Sequence, residues 1–154
     1  MHERVRELIS ELGLQPHPEG GLFCEIHRSG EEVQRADGVL RAAITTIFFL
    51  LPAGVVSRWH RVAADEIWHH YEGAPLELGV LAPEAATPSL LRLGPVGRET
   101  LPVRVVPAHA WQNARSLGDY TLVGCTVAPG FEFADFRMLA DLDPAERPPL
   151  ADPA

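Results

Sequence analysis

A histidine and a glutamate six residues apart, His60 and Glu66, are the pair in this chain with the clearest chemical potential. They lie in the glycine-bracketed segment 54–73, and the residues after Glu66 alternate in polarity as a β-strand does. Side chains two residues apart on a strand share a face, so an inward Glu66 brings Trp68 and His70 inward with it. An imidazole and a carboxylate in one cavity suit either a divalent metal ion or proton transfer on a bound molecule.

Two functional classes are compatible with this pair. In the first, the protein is an isomerase or epimerase acting on a small, polar, sugar-like molecule. His60 is then the general base, Glu66 orients it or carries the second proton, and His70 or Tyr71 is the opposing acid. This chemistry requires no metal. In the second class, the protein is not an enzyme and binds a small ligand or a metal for sensing or storage.

The elements that position these residues are one helix and many short strands. Apolar residues at helical spacing followed by Gly13 predict an amphipathic helix over residues 3–12. Alternating or apolar runs between turn signals predict strands at 22–28, 41–51, 54–61, 66–72, 76–82, 89–93, 102–106, 110–115, 120–128 and 133–138. This rhythm indicates an all-β sandwich or jelly roll formed by residues 1–140. The Pro-rich tail, 141–154, is expected to be loosely attached.

Composition and charge indicate which partners and which cellular location to expect. The 154-residue chain is 46% hydrophobic and has a net charge of −8, with no cluster of Lys and Arg. A nucleic-acid partner is therefore not expected, because the phosphate backbone requires a concentrated basic surface. No apolar run is long enough to span a bilayer, and the charged N-terminus does not read as a signal peptide, so a cytoplasmic protein without a membrane partner is expected. Cys24 and Cys125 have no metal-type spacing.

The spacing around His60 resembles the first cupin motif, in which a glycine, a His-x-His pair, a glutamate and a second glycine follow at fixed intervals. His60 and Glu66 match that pattern, but Val62 stands where the second histidine belongs. Residues 107–112, PAHAWQ, resemble the second motif, with Gln112 at the position of its metal-binding histidine. The resemblance therefore implies at most His60 and Glu66 as inherited ligands. A divalent metal is a possible but not a required cofactor, and His70 and Gln112 would have to complete its shell.

A closer resemblance is to the cupin-5-type family, a domain of unknown function. It rests on PHPEGG at 16–21, DEIW at 65–68 and VAPGF at 127–131, and it spans about residues 8 to 140. The resemblance implies a double-stranded β-helix jelly-roll barrel, similar to that of nucleotide-sugar epimerases, and a homodimer. A dimer is also expected because 42–51 is apolar on both faces and needs cover on both.

Several further residues are candidates for ligand binding. Trp68 and Trp111 are predicted to wall the barrel mouth, where His60, Glu66, His70 and Gln112 converge; for Trp111, a place in the core is the alternative. Glu25 and Arg28 on the first long strand complete the ligand-binding candidates, which are Glu25, Arg28, Trp68, Trp111 and Gln112. The expected partner is a small polar molecule, either sugar-like or nucleotide-sugar-like.

Two loops are predicted to serve packing in preference to chemistry. His17 and Glu19 precede a double glycine, and this loop is expected to form a tight turn that caps the barrel. Phe131, Phe133 and Phe136 follow Pro129-Gly130, and are expected to close the barrel or to build the dimer contact.

Overall fold

The computed structural model describes residues 1–151 and begins with one helix, α1 (Glu3–Leu12). Thirteen strands follow within these residues: β1 (Gln15–Pro16), β2 (Leu22–Arg28), β3 (Glu32–Gln34), β4 (Leu40–Ala42), β5 (Thr45–Pro52), β6 (Val56–Arg61), β7 (Asp65–Gly73), β8 (Leu76–Leu81), β9 (Ser89–Leu93), β10 (Val103–Val106), β11 (Trp111–Ser116), β12 (Tyr120–Ala128) and β13 (Arg137–Met138). Short 3-10 helices occupy Phe133–Asp135, Leu139–Asp141 and Pro144–Glu146. No helix in the described part of the chain is long and apolar enough to cross a membrane.

Eleven of these strands form two antiparallel sheets with the main core between them, and β3 and β4 pair as a separate two-stranded hairpin. The six-stranded sheet has the order β1-β2-β5-β12-β7-β10, and the five-stranded sheet has the order β13-β6-β11-β8-β9. Their inner faces share one apolar cluster that includes Phe49, Trp68, Leu78 and Val123. The all-β jelly-roll barrel with an N-terminal helix, which the sequence predicts, is confirmed.

Helix α1 covers the outer face of the six-stranded sheet. It spans the predicted residues, starts at a histidine whose side chain accepts the backbone N–H of Arg4, and ends at Gly13 in the left-handed conformation. Val5 and Leu8 are buried against Leu50 and Leu122, and each such side chain contributes about 1.5–3 kcal/mol. The second apolar face of β5 is thus covered within the chain. The argument that this face requires a dimer is therefore wrong.

The segment predicted as a strand over 133–138 is mostly not one. It forms the 3-10 turn Phe133–Asp135 and then the two-residue strand β13. Three charged contacts hold this turn to neighbouring strands. Both guanidinium groups of the β3–β4 hairpin, Arg35 and Arg41, pair with Asp135 at 2.9 and 2.8 Å, and Arg28 pairs with Glu132 at 2.9 Å. A side-chain clamp replaces the ladder of backbone hydrogen bonds that a strand would need.

The tail is attached to the outer face of the five-stranded sheet as far as it is described. Leu142 and Leu150 pack against a buried cluster that contains Trp59 and Trp111. The indole Nε1–H of Trp59 donates to the carbonyl of Ala151 at 2.8 Å. The expectation of a loose tail is therefore wrong for residues 141–151, because Leu142 and Leu150 pack on an apolar surface. Residues 152–154 of that prediction lie outside the described residues.

Candidate functional site

A cavity of about 230 Å³ opens at one end of the barrel, on the inner face of the six-stranded sheet. Its wall is largely apolar, and five phenylalanines from three segments of the chain contribute to it: Phe23, Phe49, Phe131, Phe133 and Phe136. Ionisable side chains form its polar part: His17, Glu19, Glu25, Arg28, His60, Glu66 and Glu132. We call this space the barrel cavity. The aromatic segment predicted to close the barrel forms one of its walls.

His60 lies on β6, almost fully buried, with both ring nitrogens engaged. Its Nδ1 is 2.7 Å from the carbonyl oxygen of Arg58, and since a carbonyl only accepts, Nδ1 carries the hydrogen. Its Nε2 is 3.1 Å from Oε2 of Glu19. The ring stacks on Phe136 with centroids 5.4 Å apart. Burial lowers the pKa of His60, an effect that the charge of Glu66 and the hydrogen bond to Arg58 oppose.

The contact between His60 and Glu19 requires a proton between two acceptors. A neutral His60 with its hydrogen on Nδ1 presents a lone pair at Nε2, so the carboxyl group of Glu19 must donate. Burial raises the pKa of Glu19 to about 8, and the hydroxyl of Ser57 donates to its other oxygen at 2.8 Å. Glu19 is therefore a protonated acid at neutral pH, held at both oxygens.

His17 forms the other side of this pair. Its Nδ1 accepts the backbone N–H of Glu19 at 3.2 Å, which places the ring hydrogen on Nε2. Burial, and then the nearby His60, lower its pKa to about 4, so the ring is neutral at pH 7. The rings of Phe23 and Phe49 contact it with centroids 4.6 and 5.9 Å away.

Glu66, on β7, is held by a chain of buried hydrogen bonds. The indole Nε1–H of Trp68 donates to Oε1 of Gln112 at 2.9 Å, and the amide of Gln112 donates to Oε1 of Glu66 at 2.6 Å. Burial raises the pKa of Glu66 to about 7, and the charge of His60 opposes this rise. Glu66 and Glu19 are thus two carboxyl groups with pKa values near neutrality in one cavity.

Charged residues at the mouth form a third group. Arg28 pairs with Glu25 at 2.7 Å and with Glu132 at 2.9 Å, and it also donates to the carbonyl of Phe131 at 3.0 Å. Glu25 and Arg28, the predicted ligand-binding residues of β2, therefore both line the cavity.

Two of the predicted catalytic residues lie elsewhere. His70 shares the inner face with Glu66, but the two are four residues apart on an extended strand, or about 13 Å. Its Nε2 contacts the carbonyl of Gly73 at 3.2 Å, away from the cavity. Tyr71 lies at a β-bulge of β7: Leu122 of β12 pairs with Glu72 and the next residue pairs with His70, so Tyr71 has no partner in this register. It is about half exposed on the outer face, near Phe48. The structure does not bring either residue to the barrel cavity.

The predicted tryptophan walls also need correction. Trp111 lies on the outer face of the five-stranded sheet, with the guanidinium of Arg61 4.8 Å above its ring. Trp68 is in the core and does not line the cavity. Gln112 does pair with His60 across β11 and β6, as the resemblance implied. Trp68 and Gln112 act on the site by holding Glu66.

The donors present do not fit the metal shell that the cupin resemblance implied. Within residues 1–151, no group of three or more His, Cys, Asp and Glu side chains has an arrangement suited to a metal ion. Val62 occupies the second histidine position and lines the cavity as an apolar side chain. Gln112 uses its amide on Trp68 and Glu66, and His70 points elsewhere. We therefore derive no step through a metal.

For the loop of His17 and Glu19, the sequence favours a packing turn over a ligand contact. The structure places both side chains in the cavity. The signal was the double glycine: Gly20 has a φ of +107°, and a Cβ there would collide with the carbonyl of Val56. This close approach lets the carbonyl of Glu19 accept the N–H of Arg58 at 2.8 Å, which fixes the loop on β6.

Comparison with known proteins identifies the family. The family model described as "Cupin superfamily (DUF985)" matches residues 6–139. No curated protein matches the chain.

Solved structures show the same fold. A hypothetical protein from Leishmania major is 32% identical, with 92% of this chain and 93% of that chain covered and a TM-score of 0.82. Protein SO0799 from Shewanella oneidensis is 33% identical, with 86% and 82% covered and a TM-score of 0.77. Oxalate decarboxylase from Bacillus subtilis is 15% identical over 87% of this chain and 33% of its own, with a TM-score of 0.59. At that identity the likeness concerns the fold alone.

Proposed function

This chain belongs to the Cupin_5 (DUF985) family of the cupin superfamily, and we propose that it is an isomerase or epimerase that moves a proton on a small, polar, sugar-like molecule. The observation that carries this proposal is the pair of buried carboxyl groups beside His60. Burial brings the pKa of Glu66 to about 7 and that of Glu19 to about 8. An acid or base works best when its pKa lies near the operating pH, and both groups meet that condition at neutral pH.

The two carboxyl groups differ in protonation state at neutral pH, and an acid–base reaction needs this difference. At pH 7, Glu66 is partly ionised and can accept a proton, whereas Glu19 is mostly protonated and can donate one. His60 supports Glu19 because its Nε2 is the acceptor that holds the acidic hydrogen. The opposing acid expected at His70 or Tyr71 is thus replaced by Glu19. The proposed role of His60 changes from base to partner of the acid.

The proposed step balances without any further reactant. Glu66 takes the proton from the carbon beside a carbonyl group, and the C–H electron pair forms a C=C bond. The carbonyl oxygen replaces Nε2 of His60 as the acceptor of the Glu19 proton and takes that proton. The result is a neutral enediol. Return of a proton from Glu66 to the other carbon or face, and of the hydroxyl proton to Glu19, gives the isomer. No electrons leave the substrate, so neither an oxidant nor a metal enters the balance.

The size of the cavity supports a small substrate. Pockets for drug-sized ligands measure about 300–1,000 Å³, and the barrel cavity measures about 230 Å³. A monosaccharide-sized molecule suits that space better than a nucleotide-sugar, most of which would remain outside the mouth. A non-catalytic protein that binds the same small molecule is the alternative, and the experiment below separates the two.

The proposal is tested by proton exchange in D₂O. The protein is incubated with D-glucose, D-galactose, D-xylose, D-glucuronate and D-galacturonate, and NMR follows deuterium incorporation beside the carbonyl carbon. We expect exchange for at least one probe, reduced about two to four orders of magnitude in Glu66→Gln and Glu19→Gln. Glu84→Gln, on an exposed turn, is the matched control and should retain the full rate.

The outcomes separate catalysis from binding. Exchange that survives unchanged in both cavity variants would show that these carboxyl groups do not move the proton. Saturable binding without exchange of any probe would replace the enzyme by the binding protein.

Association and location stay proposals as well. We propose a homodimer that forms along β10, an edge of the six-stranded sheet, where Val103 and Val105 are about half exposed. An apolar edge strand readily pairs with another chain. A cytoplasmic location and the lack of a nucleic-acid partner remain predictions from composition.

A further inference from the structure

Carboxyl groups outnumber cations among the residues that line the barrel cavity. The described lining residues include one guanidinium group, that of Arg28, and four carboxyl groups: Glu19, Glu25, Glu66 and Glu132. The two lining histidines, His17 and His60, are held neutral by burial and add no positive charge at pH 7.

Among the described residues that line the cavity, Arg28 is the one permanent cation, and its charge is already neutralised. Arg28 forms a bidentate pair with Glu25, at 2.7 and 3.4 Å, and a second charged pair with Glu132 at 2.9 Å. Its remaining contact is with the carbonyl of Phe131 at 3.0 Å. Two carboxylates around one guanidinium leave the mouth with a net charge of −1. A carboxylate or phosphate that enters must therefore lose water beside like charges, with no free cation to compensate.

The deep end of the cavity offers hydrogen bonds in place of charge. The hydrogen on Nε2 of His17, fixed by the bond that its Nδ1 accepts, makes that nitrogen a donor. Glu66 in its protonated form offers a hydroxyl, and the carboxyl oxygens of Glu19 and Glu66 have further lone pairs that can accept. The apolar rings around them, such as Phe23 and Phe49, can cover the C–H surfaces of a small ring.

We propose that the ligand of the barrel cavity is an uncharged polyhydroxy carbonyl compound, and that the carboxylates of Glu25 and Glu132 exclude anionic relatives by neutralising Arg28. This inference rests on the proposed function, because it names the substrate class of the same site. It excludes acids and phosphates of the size that would otherwise fit.

Matched probes test the charge preference directly. D-glucose and D-galactose are compared by calorimetry with D-glucuronate and D-galacturonate, which differ only by a carboxylate at one carbon. We expect the uncharged member of a pair to bind at least tenfold more tightly. D-glucosamine, a cation at neutral pH, should bind no more than threefold more tightly than D-glucose.

A charge-release variant tests the cause. In Glu25→Gln/Glu132→Gln, Arg28 loses both carboxylates, and we expect the affinity for a uronate, relative to that for the matching sugar, to rise at least tenfold. Glu99→Gln is the control, since it breaks a similar pair with Arg92, at 2.8 Å, that does not line the cavity. It should change neither affinity.

Four results would overturn the inference. Equal or tighter binding of a uronate by the unmodified protein would do so, and the proposed function would survive if that uronate still exchanges its proton. Tighter binding of glucosamine by tenfold or more would indicate a cation site. A double variant that gains no uronate affinity relative to the matching sugar would refute the role of Arg28. Failure of all five probes to bind would remove the proposed sugar substrate and this inference together.

Discussion

Replacing Glu19 by glutamine should remove most of the pH dependence of stability between about pH 6.5 and pH 8. The amide matches a protonated carboxyl group in shape. It can accept the hydrogen of Ser57 with its oxygen and donate to Nε2 of His60 with its nitrogen, as the acid does at 2.8 and 3.1 Å. We therefore expect the variant to resemble the unmodified protein in stability near pH 6.5, where Glu19 is protonated.

The sign of the effect follows from the raised pKa. A buried carboxyl group whose pKa rises from 4.5 to about 8 binds its proton more strongly in the folded state. Its contribution to stability is complete below pH 4.5 and is lost as the pH rises through about 8. His17, with a pKa lowered to about 4, acts in the opposite direction, but only below its ordinary value of 6.5. Between pH 6.5 and pH 8, the change in the free energy of unfolding therefore comes from the buried carboxyl groups and not from His17.

Linkage gives the magnitude. Between about pH 6.5 and pH 8, Glu19 accounts for a loss of about 1 to 2 kcal/mol in the free energy of unfolding, and Glu66 for about 1 kcal/mol. The unmodified protein should thus lose about 2 to 3 kcal/mol over the window, whereas Glu19→Gln should lose about 1 kcal/mol.

Urea denaturation at several pH values measures both curves, and Glu84→Gln provides a control on an exposed carboxylate that should follow the unmodified protein. An unchanged slope in Glu19→Gln would refute the protonated carboxyl group. A variant already destabilised by more than about 3 kcal/mol near pH 6.5 would show instead that Glu19 is ionised there, because the amide would then replace a buried charge.

Two further predictions concern the loop and association. Gly20→Ala should destabilise the protein by more than about 3 kcal/mol, since the new Cβ meets the carbonyl of Val56 at a positive φ; Gly54→Ala, at a φ of +75° with open space around it, should cost only about 1 kcal/mol in thermal or urea unfolding. Light scattering at micromolar concentration should give twice the chain mass of 16.9 kDa, and Val105→Lys, on the exposed edge of β10, should return the monomer; a monomeric unmodified protein would contradict the dimer.

The architecture was predictable because its signals are local and repeated. Helix α1 has the predicted bounds, and β2, β9 and β12 match the predicted strands at both ends. Each depends on apolar spacing and turn residues within about ten positions. The segment 133–138 failed because its conformation depends on distant arginines: Arg35 and Arg41 reach it through the β3–β4 hairpin. No pattern within the segment itself reports those partners.

The errors at the site have a simple geometric origin. Parity along a strand predicts which face a side chain takes, and it placed Glu66, Trp68 and His70 on one face. Parity does not tell how far along the strand a side chain lies from the cavity. His70 is four residues from Glu66 on an extended strand, which is about 13 Å. Parity also forbids two neighbours on a regular strand from facing the same cavity. Because Gln112 faces inward, its neighbour Trp111 must face outward. The outward position of Trp111 could therefore have been predicted from the sequence.

Glu19 was harder to find because its role depends on a contact between loop and barrel. A carboxyl group in a turn is ordinarily exposed. The double glycine of PHPEGG indicates a close backbone approach, but it does not identify β6 as the strand that the loop contacts. The left-handed Gly20 brings its backbone against Val56, and this approach carries the side chain of Glu19 below the surface to Ser57 and His60. Burial there costs free energy for an ionised carboxylate, so the group retains its proton at neutral pH. The same backbone contact that closes the barrel thus supplies the acid that the proposed reaction needs.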